Sequence, residues 1–230
     1  MTIVVTGATG HLGRLIIDAL LRDGTPSSDI VALGRSAQKL EALAPLGVRT
    51  AVAEYTDRAS LDAALAGADT VMLVSGSEVG QRFAQHAAVI DAAKAAGVGR
   101  IVYTSAPAAT TSPLILAPEH KATEEYLAAS GIPATILRNG WYTENYTRSA
   151  PAEVAHGAVI GSTDDGRISA AARSDYAAAA AVVLTDGITD NRVLELAGDN
   201  SFTLADYAAA LATAELDSST PVLGDIISVL

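Results

Sequence analysis

Short β-branched runs alternate along the chain with longer Ala/Leu-rich stretches whose apolar residues recur at helical spacing. The runs predict strands at Ile3–Thr6, Ile30–Gly34, Val48–Ala53, Thr70–Val74, Arg100–Thr104 and Ala134–Leu137. Several are apolar on both faces, as strands are when helices cover both sides of a parallel sheet. After the first strand, Leu12, Leu15, Ile16, Ala19 and Leu20 form a single apolar stripe on a helix. A longer helix is predicted over Val79–Ala96, stopped at Gly97. This alternation is the mark of repeated βαβ units, and it predicts an α/β fold: a Rossmann-type, doubly wound parallel sheet.

Beyond Leu137 the rhythm changes. Asn139–Asn145 is polar and aromatic in a chain with only 4% aromatic residues. A short strand near Ala158–Ile160, an Ala-rich helix from Ser174 to Thr185 and a strand at Arg192–Ala197 are predicted next. A last helix follows, capped by Thr203 with Asp206 three residues on. Residues 1–138 are therefore read as a nucleotide-binding sheet domain and 139–230 as a small α/β substrate lobe. No Pro/Gly/Ser-rich linker separates them, so one compact unit is expected.

Composition narrows the functional classes. The 230 residues hold 15 Lys and Arg against 26 Asp and Glu, a net charge of −11. Without a basic patch to neutralise phosphates, nucleic-acid binding and attraction to anionic lipid are disfavoured. No apolar run reaches the roughly 20 residues of a membrane span. Met1-Thr2-Ile3-Val4-Val5 leads straight into a strand with no signal-peptide pattern, so a cytoplasmic location is expected. The chain has 0 Cys, which excludes thiol catalysis and Cys-held zinc, and no His/Asp/Glu cluster has metal-ligand spacing.

The chemistry starts at Thr6-Gly7-Ala8-Thr9-Gly10-His11-Leu12-Gly13, between the first strand and its amphipathic helix. Glycines in that setting permit a tight turn and let backbone N–H groups approach a pyrophosphate at the positive end of the helix. At the end of the second strand, Ala32-Leu33-Gly34-Arg35-Ser36 carries no acid for a ribose 2′-hydroxyl. Arg35 is suited instead to a 2′-phosphate, which favours NADP(H) over NAD(H).

With these residues the chain resembles the NmrA-like family of atypical short-chain dehydrogenases, and within it is most similar to type 2 NAD(P)H:quinone oxidoreductases. The resemblance is carried by Gly7–Gly13, Arg35, Ser75–Arg82, Tyr103–Ser105, His120–Glu124 and Gly131–Pro133. It continues through Leu137–Tyr146, Ser174–Ala177 and Leu196–Asp199. It implies NADP(H) contacts from Gly7, Ala8, Thr9, Gly10, His11, Leu12 and Gly13 with Arg35, from Ser75, Gly76 and Ser77, from Thr104, and from Asn139, Gly140, Trp141, Tyr142, Thr143 and Glu144. A homodimer is implied by the same resemblance. The match fades near Ala208, and Leu211–Leu230 resembles a late family segment joined early, so either a natural deletion or missing residues between about 208 and 230 is expected.

None of the 7 tyrosines has Lys four residues on, so the Tyr-x-x-x-Lys dyad of alcohol dehydrogenation is missing. Quinone reduction needs less: the hydroquinone anion is stabilised by its own ring, and the protein chiefly holds donor and acceptor in line. The implied activity is hydride transfer from NADPH to quinones or related electrophilic aromatics. A redox-sensing regulator without turnover, or a reductase of a ketone or imine, are the alternatives. His120 occupies the slot where isoflavone-reductase-like relatives carry lysine. It is read either as a local acid titrating near neutrality, within reach of Glu124 on one helix face, or as a structural helix-start histidine. Tyr142, with Trp141, stacks on nicotinamide or acceptor, or else belongs to an aromatic lid. His86 is read as a packed helix residue, His156 as loop, and His11 as acting through its backbone.

Overall fold

The computed structural model describes residues 1–216; of the late segment Leu211–Leu230, residues 217–230 lie outside the described residues. In chain order the elements begin β1 (Ile3–Val5), α1 (His11–Arg22), β2 (Ile30–Gly34), α2 (Ala37–Glu41), β3 (Arg49–Val52), α3 (Arg58–Leu65) and β4 (Thr70–Leu73). They continue α4 (Arg82–Ala95), β5 (Arg100–Ser105), α5 (Ala117–Ser130), β6 (Ala134–Asn139), α6 (Glu144–Thr147), α7 (Ala150–His156), α8 (Arg173–Thr185), β7 (Arg192–Leu196) and α9 (Leu204–Leu216). The seven strands form one sheet in the order β3-β2-β1-β4-β5-β6-β7, and every pairing is parallel. Among the described residues no helix is long and apolar enough to cross a membrane.

The doubly wound arrangement follows from strands with two apolar faces. All residues of β1, β2, β4 and β5 are buried. On one face Val4, Val71 and Ile101 pack with Leu61, Ile90 and Leu127 from α3, α4 and α5. Alternation turns Ile3 and Val5 to the other face, where Ile16, Ile17 and Leu20 of α1 are buried. The chain reverses its direction across the sheet between β1 and β4. Such a switch point opens a crevice at the carboxyl ends of the strands.

Among the described residues two compact units are defined by internal contacts: residues 1–139 together with 176–196, and residues 140–175 together with 197–216. The first unit thus includes most of α8 and all of β7. Buried Arg100 holds that return in place, donating to the Val183 carbonyl at 2.9 Å, to Thr135 at 3.0 Å and to Asp186 at 3.2 Å. At the start of β6, the Ala134 N–H donates to the Asn191 side chain at 2.9 Å.

The second unit has its own small core of Ala150, Phe202, Tyr207 and Leu211. The expected cap is present in both directions. Thr203 N–H donates to the Asp206 carboxylate at 2.8 Å, and Asp206 N–H donates to the Thr203 hydroxyl at 3.1 Å.

Three local expectations are corrected. Ala158–Ile160 is irregular, Ile160 is 92% exposed, and among the described residues the segment pairs with no strand. The helix expected from Val79 starts at Arg82, because Gly80 adopts φ +87° and interrupts the preceding turn. His156 is not in a loop; it closes α7.

Candidate functional site

The turn after β1 is built by its glycines and fastened to both neighbouring strands. Gly7 has φ +59°, and its carbonyl accepts the Gly10 N–H at 2.9 Å. Thr6 N–H donates to the Met72 carbonyl at 3.0 Å, and Ala8 N–H donates to the Leu33 carbonyl at 3.1 Å. The bond from Ala8 takes its amide out of the set available to a ligand. Gly13 lies so close behind the turn that a Cβ there would stand 2.3 Å from the Gly7 carbonyl oxygen. Gly10 is the N-cap of α1 with no side-chain capping bond, and no acid occupies the first helical turn. The N–H groups of His11, Leu12 and Gly13 therefore start a long helix without an acceptor from its cap, which fits an anionic diphosphate. Thr9 packs beside Gly34 at the end of β2.

Arg35 follows β2 and is exposed. Its Nη1 lies 2.8 Å from Oε1 of Glu78, which comes from the loop after β4. The other Glu78 oxygen accepts from Gln85 Nε2 at 2.8 Å. The Gln85 hydrogen bond, followed by Arg35, holds the Glu78 carboxyl below the usual carboxylate range.

The Ser75–Ser77 segment is held from behind. Ser75 N–H donates to the Thr104 hydroxyl at 2.8 Å, so Thr104, itself buried, acts on this loop as a support. Gly76 N–H donates to Nε2 of buried His86 at 3.0 Å, and Arg82 Nε donates to the Gly76 carbonyl at 2.6 Å. Glu119 on α5 then accepts from Arg82 Nη1 at 3.0 Å and from Gly80 N–H at 3.1 Å. Ser77 is exposed.

His86 and His120 share a buried cluster with Tyr103. The Tyr103 hydroxyl and His120 Nδ1 are 2.7 Å apart, and the Tyr103 ring meets the His86 ring edge-on at 5.3 Å. Burial, then the neighbouring His120 and the positive charge of Arg82, pushes His86 down to about 3. Burial and Arg82 likewise push His120 down to about 4, with Glu124 and Glu119 opposing. His120 is 5% exposed, and burial with Arg82 holds it well below the usual imidazole range, which favours the structural reading over that of an acid titrating near neutrality. Glu124 is also engaged elsewhere, accepting from Ser105 Oγ at 2.6 Å and from Arg138 Nη2 at 2.6 Å. Burial raises the Tyr103 hydroxyl above its ordinary value.

Asn139 ends β6 with both side-chain amide atoms buried and without a hydrogen-bond partner. In the second unit, Gly140 is half-buried and Trp141 is exposed. Tyr142 lies beneath the Arg173 guanidinium, 4.9 Å from the ring centroid. Thr143 N–H donates to the Ala171 carbonyl at 3.0 Å. The Glu144 carboxylate accepts the Arg173 N–H at 3.0 Å, so it caps the first turn of α8. Sequence reasoning did not single out Gln85 or Glu119, and named Arg82 only within the block Ser75–Arg82. Their roles arise from contacts across the α4–α5 pair, and their spacing alone reads as ordinary helix surface.

An all-parallel sheet that switches at a glycine turn, with an uncapped helix and an arginine after the second strand, defines a dinucleotide-binding protein. The chain belongs to the NAD(P)H-binding family, whose match spans residues 7–187. It is 53% identical over 209 residues to quinone oxidoreductase 2 of Escherichia coli strain K12, covering 91% of this chain and 73% of that protein. The structure of an Escherichia coli NADPH-dependent quinone oxidoreductase complexed with NADPH superposes with a TM-score of 0.89 at 46% identity, covering 99% of this chain and 87% of that one. The triphenylmethane reductase of Citrobacter sp. complexed with NADP(H) superposes at 0.88 and 31% identity, with coverage of 99% and 87%.

Proposed function

We propose that this protein is an NADPH-dependent oxidoreductase that passes hydride to quinones or related electrophilic aromatic acceptors. The observation that carries the reading is the Gly7–Gly13 turn, uncapped and backed by Gly13, with Arg35 beyond β2. The likeness to the quinone oxidoreductase of Escherichia coli supplies the acceptor class.

When bound, NADPH supplies the hydride. The chain's own groups bind and orient. The N–H groups at the start of α1 take the pyrophosphate, and Arg35 pairs with the 2′-phosphate. The Ser75–Ser77 backbone, held by Thr104, His86 and Arg82, lines the site with small groups. Asn139 brings two unpaired amide atoms to the end of β6. Gly140–Glu144 is assigned to the nicotinamide and acceptor side, where Trp141 and Tyr142 supply aromatic faces, and the second unit is assigned to acceptor binding. Burial holds His120 below the usual imidazole range, so we assign the proton of the reduced acceptor to solvent.

Mixing the protein with NADPH and a panel of simple quinones, and following NADPH absorbance, tests the proposal. Acceptor-dependent loss of signal is expected. Tight NADPH binding with no turnover on any acceptor would overturn it in favour of a redox-sensing regulator.

A further inference from the structure

We propose that Glu78 sets the cofactor preference of the site, by competing with a 2′-phosphate for Arg35 and by offering its carboxylate to the 2′-hydroxyl of NADH. This rests on the reading of Arg35 as the 2′-phosphate residue.

A site selective for NADH carries an acid at the end of β2, whereas a site selective for NADPH carries a cation nearby. This chain places both charges there, from different strands. The cation is Arg35, directly after β2. The acid reaches across from the loop after β4, and Glu78 Oε1 stands 2.8 Å from Arg35 Nη1.

Stability does not account for the pair. Arg35 is 60% exposed and Glu78 39%, and ion pairs this open to water add little to folding. The carboxylate is nevertheless held in place. Its second oxygen accepts from Gln85, a buried side chain on α4, at 2.8 Å. Its backbone carbonyl accepts the Gln81 N–H at 3.2 Å and the Arg82 N–H at 3.0 Å. Glu78 is thus fixed by α4 independently of Arg35.

The two cofactors meet this arrangement differently. A 2′-phosphate that pairs with Arg35 approaches a carboxylate already in hydrogen-bond contact with the same guanidinium. It must share that group against like-charge repulsion or displace Glu78. A 2′-hydroxyl carries no charge and can donate to the carboxylate. Glu78 therefore weakens NADPH and supports NADH, so preference is graded instead of absolute.

Dissociation constants of NADPH and NADH, measured by cofactor fluorescence on the wild type and on Glu78→Gln, Glu78→Asp and Arg35→Ala, test this without reference to turnover. Glu78→Gln keeps a side chain that Gln85 can bond and removes the charge. It is expected to tighten NADPH about three- to tenfold and to loosen NADH, with a smaller gain at high salt. Glu78→Asp keeps the charge and should stay near the wild-type ratio. An NADPH-to-NADH ratio unchanged within about twofold in Glu78→Gln, or shifted equally by Glu78→Asp, overturns the proposal. The premise fails in a distinguishable way: Arg35→Ala would then leave NADPH affinity unaltered, and the proposal would fall with it. Thermal melts of each variant separate loss of binding from loss of fold.

Discussion

His86 Nε2 accepts the Gly76 N–H at 3.0 Å, while its Nδ1 lies 3.0 Å from the Thr123 hydroxyl. Since Nε2 must be unprotonated to accept, the ring is neutral with its proton on Nδ1. The fully buried environment that lowers its pKa enforces that state. One imidazole thereby ties the loop after β4 to α5 and sets the backbone of Gly76.

Removing that tie should loosen the loop more than the fold. His86→Ala leaves the Gly76 amide without its acceptor, a loss of about 1–3 kcal/mol. An increase in KM for NADPH of about tenfold is expected, with a smaller change in kcat. Glutamine can present an amide oxygen to the same N–H, so His86→Gln should recover most of the affinity. Steady-state kinetics of the two variants check this. Equal KM in wild type and His86→Ala would refute it.

Two histidines kept neutral make the fold sensitive to acid. His86 at about 3 and His120 at about 4 both lie below the ordinary value of 6.5, so between pH 6.5 and about 4 the unfolded chain binds protons that the native state does not. Stability therefore rises with pH across that window and is lost as pH falls through it. At pH 5 each site contributes about 2 kcal/mol of this loss. Urea denaturation at a series of pH values should show the slope, reduced by about one proton in His120→Asn. A flat profile over the window would contradict the buried-neutral assignment.

The same neutrality bears on turnover. His120 has no protonation step near neutrality, so kcat between pH 6 and 8 should show no inflection that His120→Asn removes. The variant should lose stability, because the buried Tyr103 hydroxyl loses its partner at 2.7 Å, yet turn over within about threefold of wild type. A pH-dependent limb present in wild type and absent in the variant would restore His120 as the proton donor.

Gly13→Ala tests how tightly α1 seats on the turn. Its Cβ would stand 2.3 Å from the Gly7 carbonyl oxygen and 2.8 Å from the Gly7 carbonyl carbon, both backbone atoms that cannot swing away. A destabilisation of at least about 2 kcal/mol and loss of NADPH binding are expected. Gly10→Ala places its Cβ 3.2 Å from the same oxygen and should be milder on both measures. Calorimetry and cofactor titration of the pair check the ranking; equal effects would mean that the approach at Gly13 is not what shapes the turn.

Much of this protein could be read before folding. The β-branched runs, the stripe on α1, the Thr203–Asp206 cap and the glycine turn are governed by nearest neighbours along the chain. Backbone sterics and side-chain period act over a few residues, so the residues themselves specify them. The place of Arg35 directly after β2 was legible for the same reason.

Other features came only with tertiary structure. Arg192–Leu196 is a strand in either reading, but Arg100, 86 residues before Asp186, helps bring it to the edge of the sheet. Glu78 meets Arg35 across 43 residues, and nothing in the local pattern announces it. Histidine is an acid near neutrality in water, and burial, followed by Arg82, holds His120 below that range once the chain folds. Local sterics follow the order of the residues. Burial and charge depend on groups that only folding brings together, so this sequence by itself determined the elements and the cofactor turn, while tertiary structure decided which charges face one another and which histidines keep their protons off.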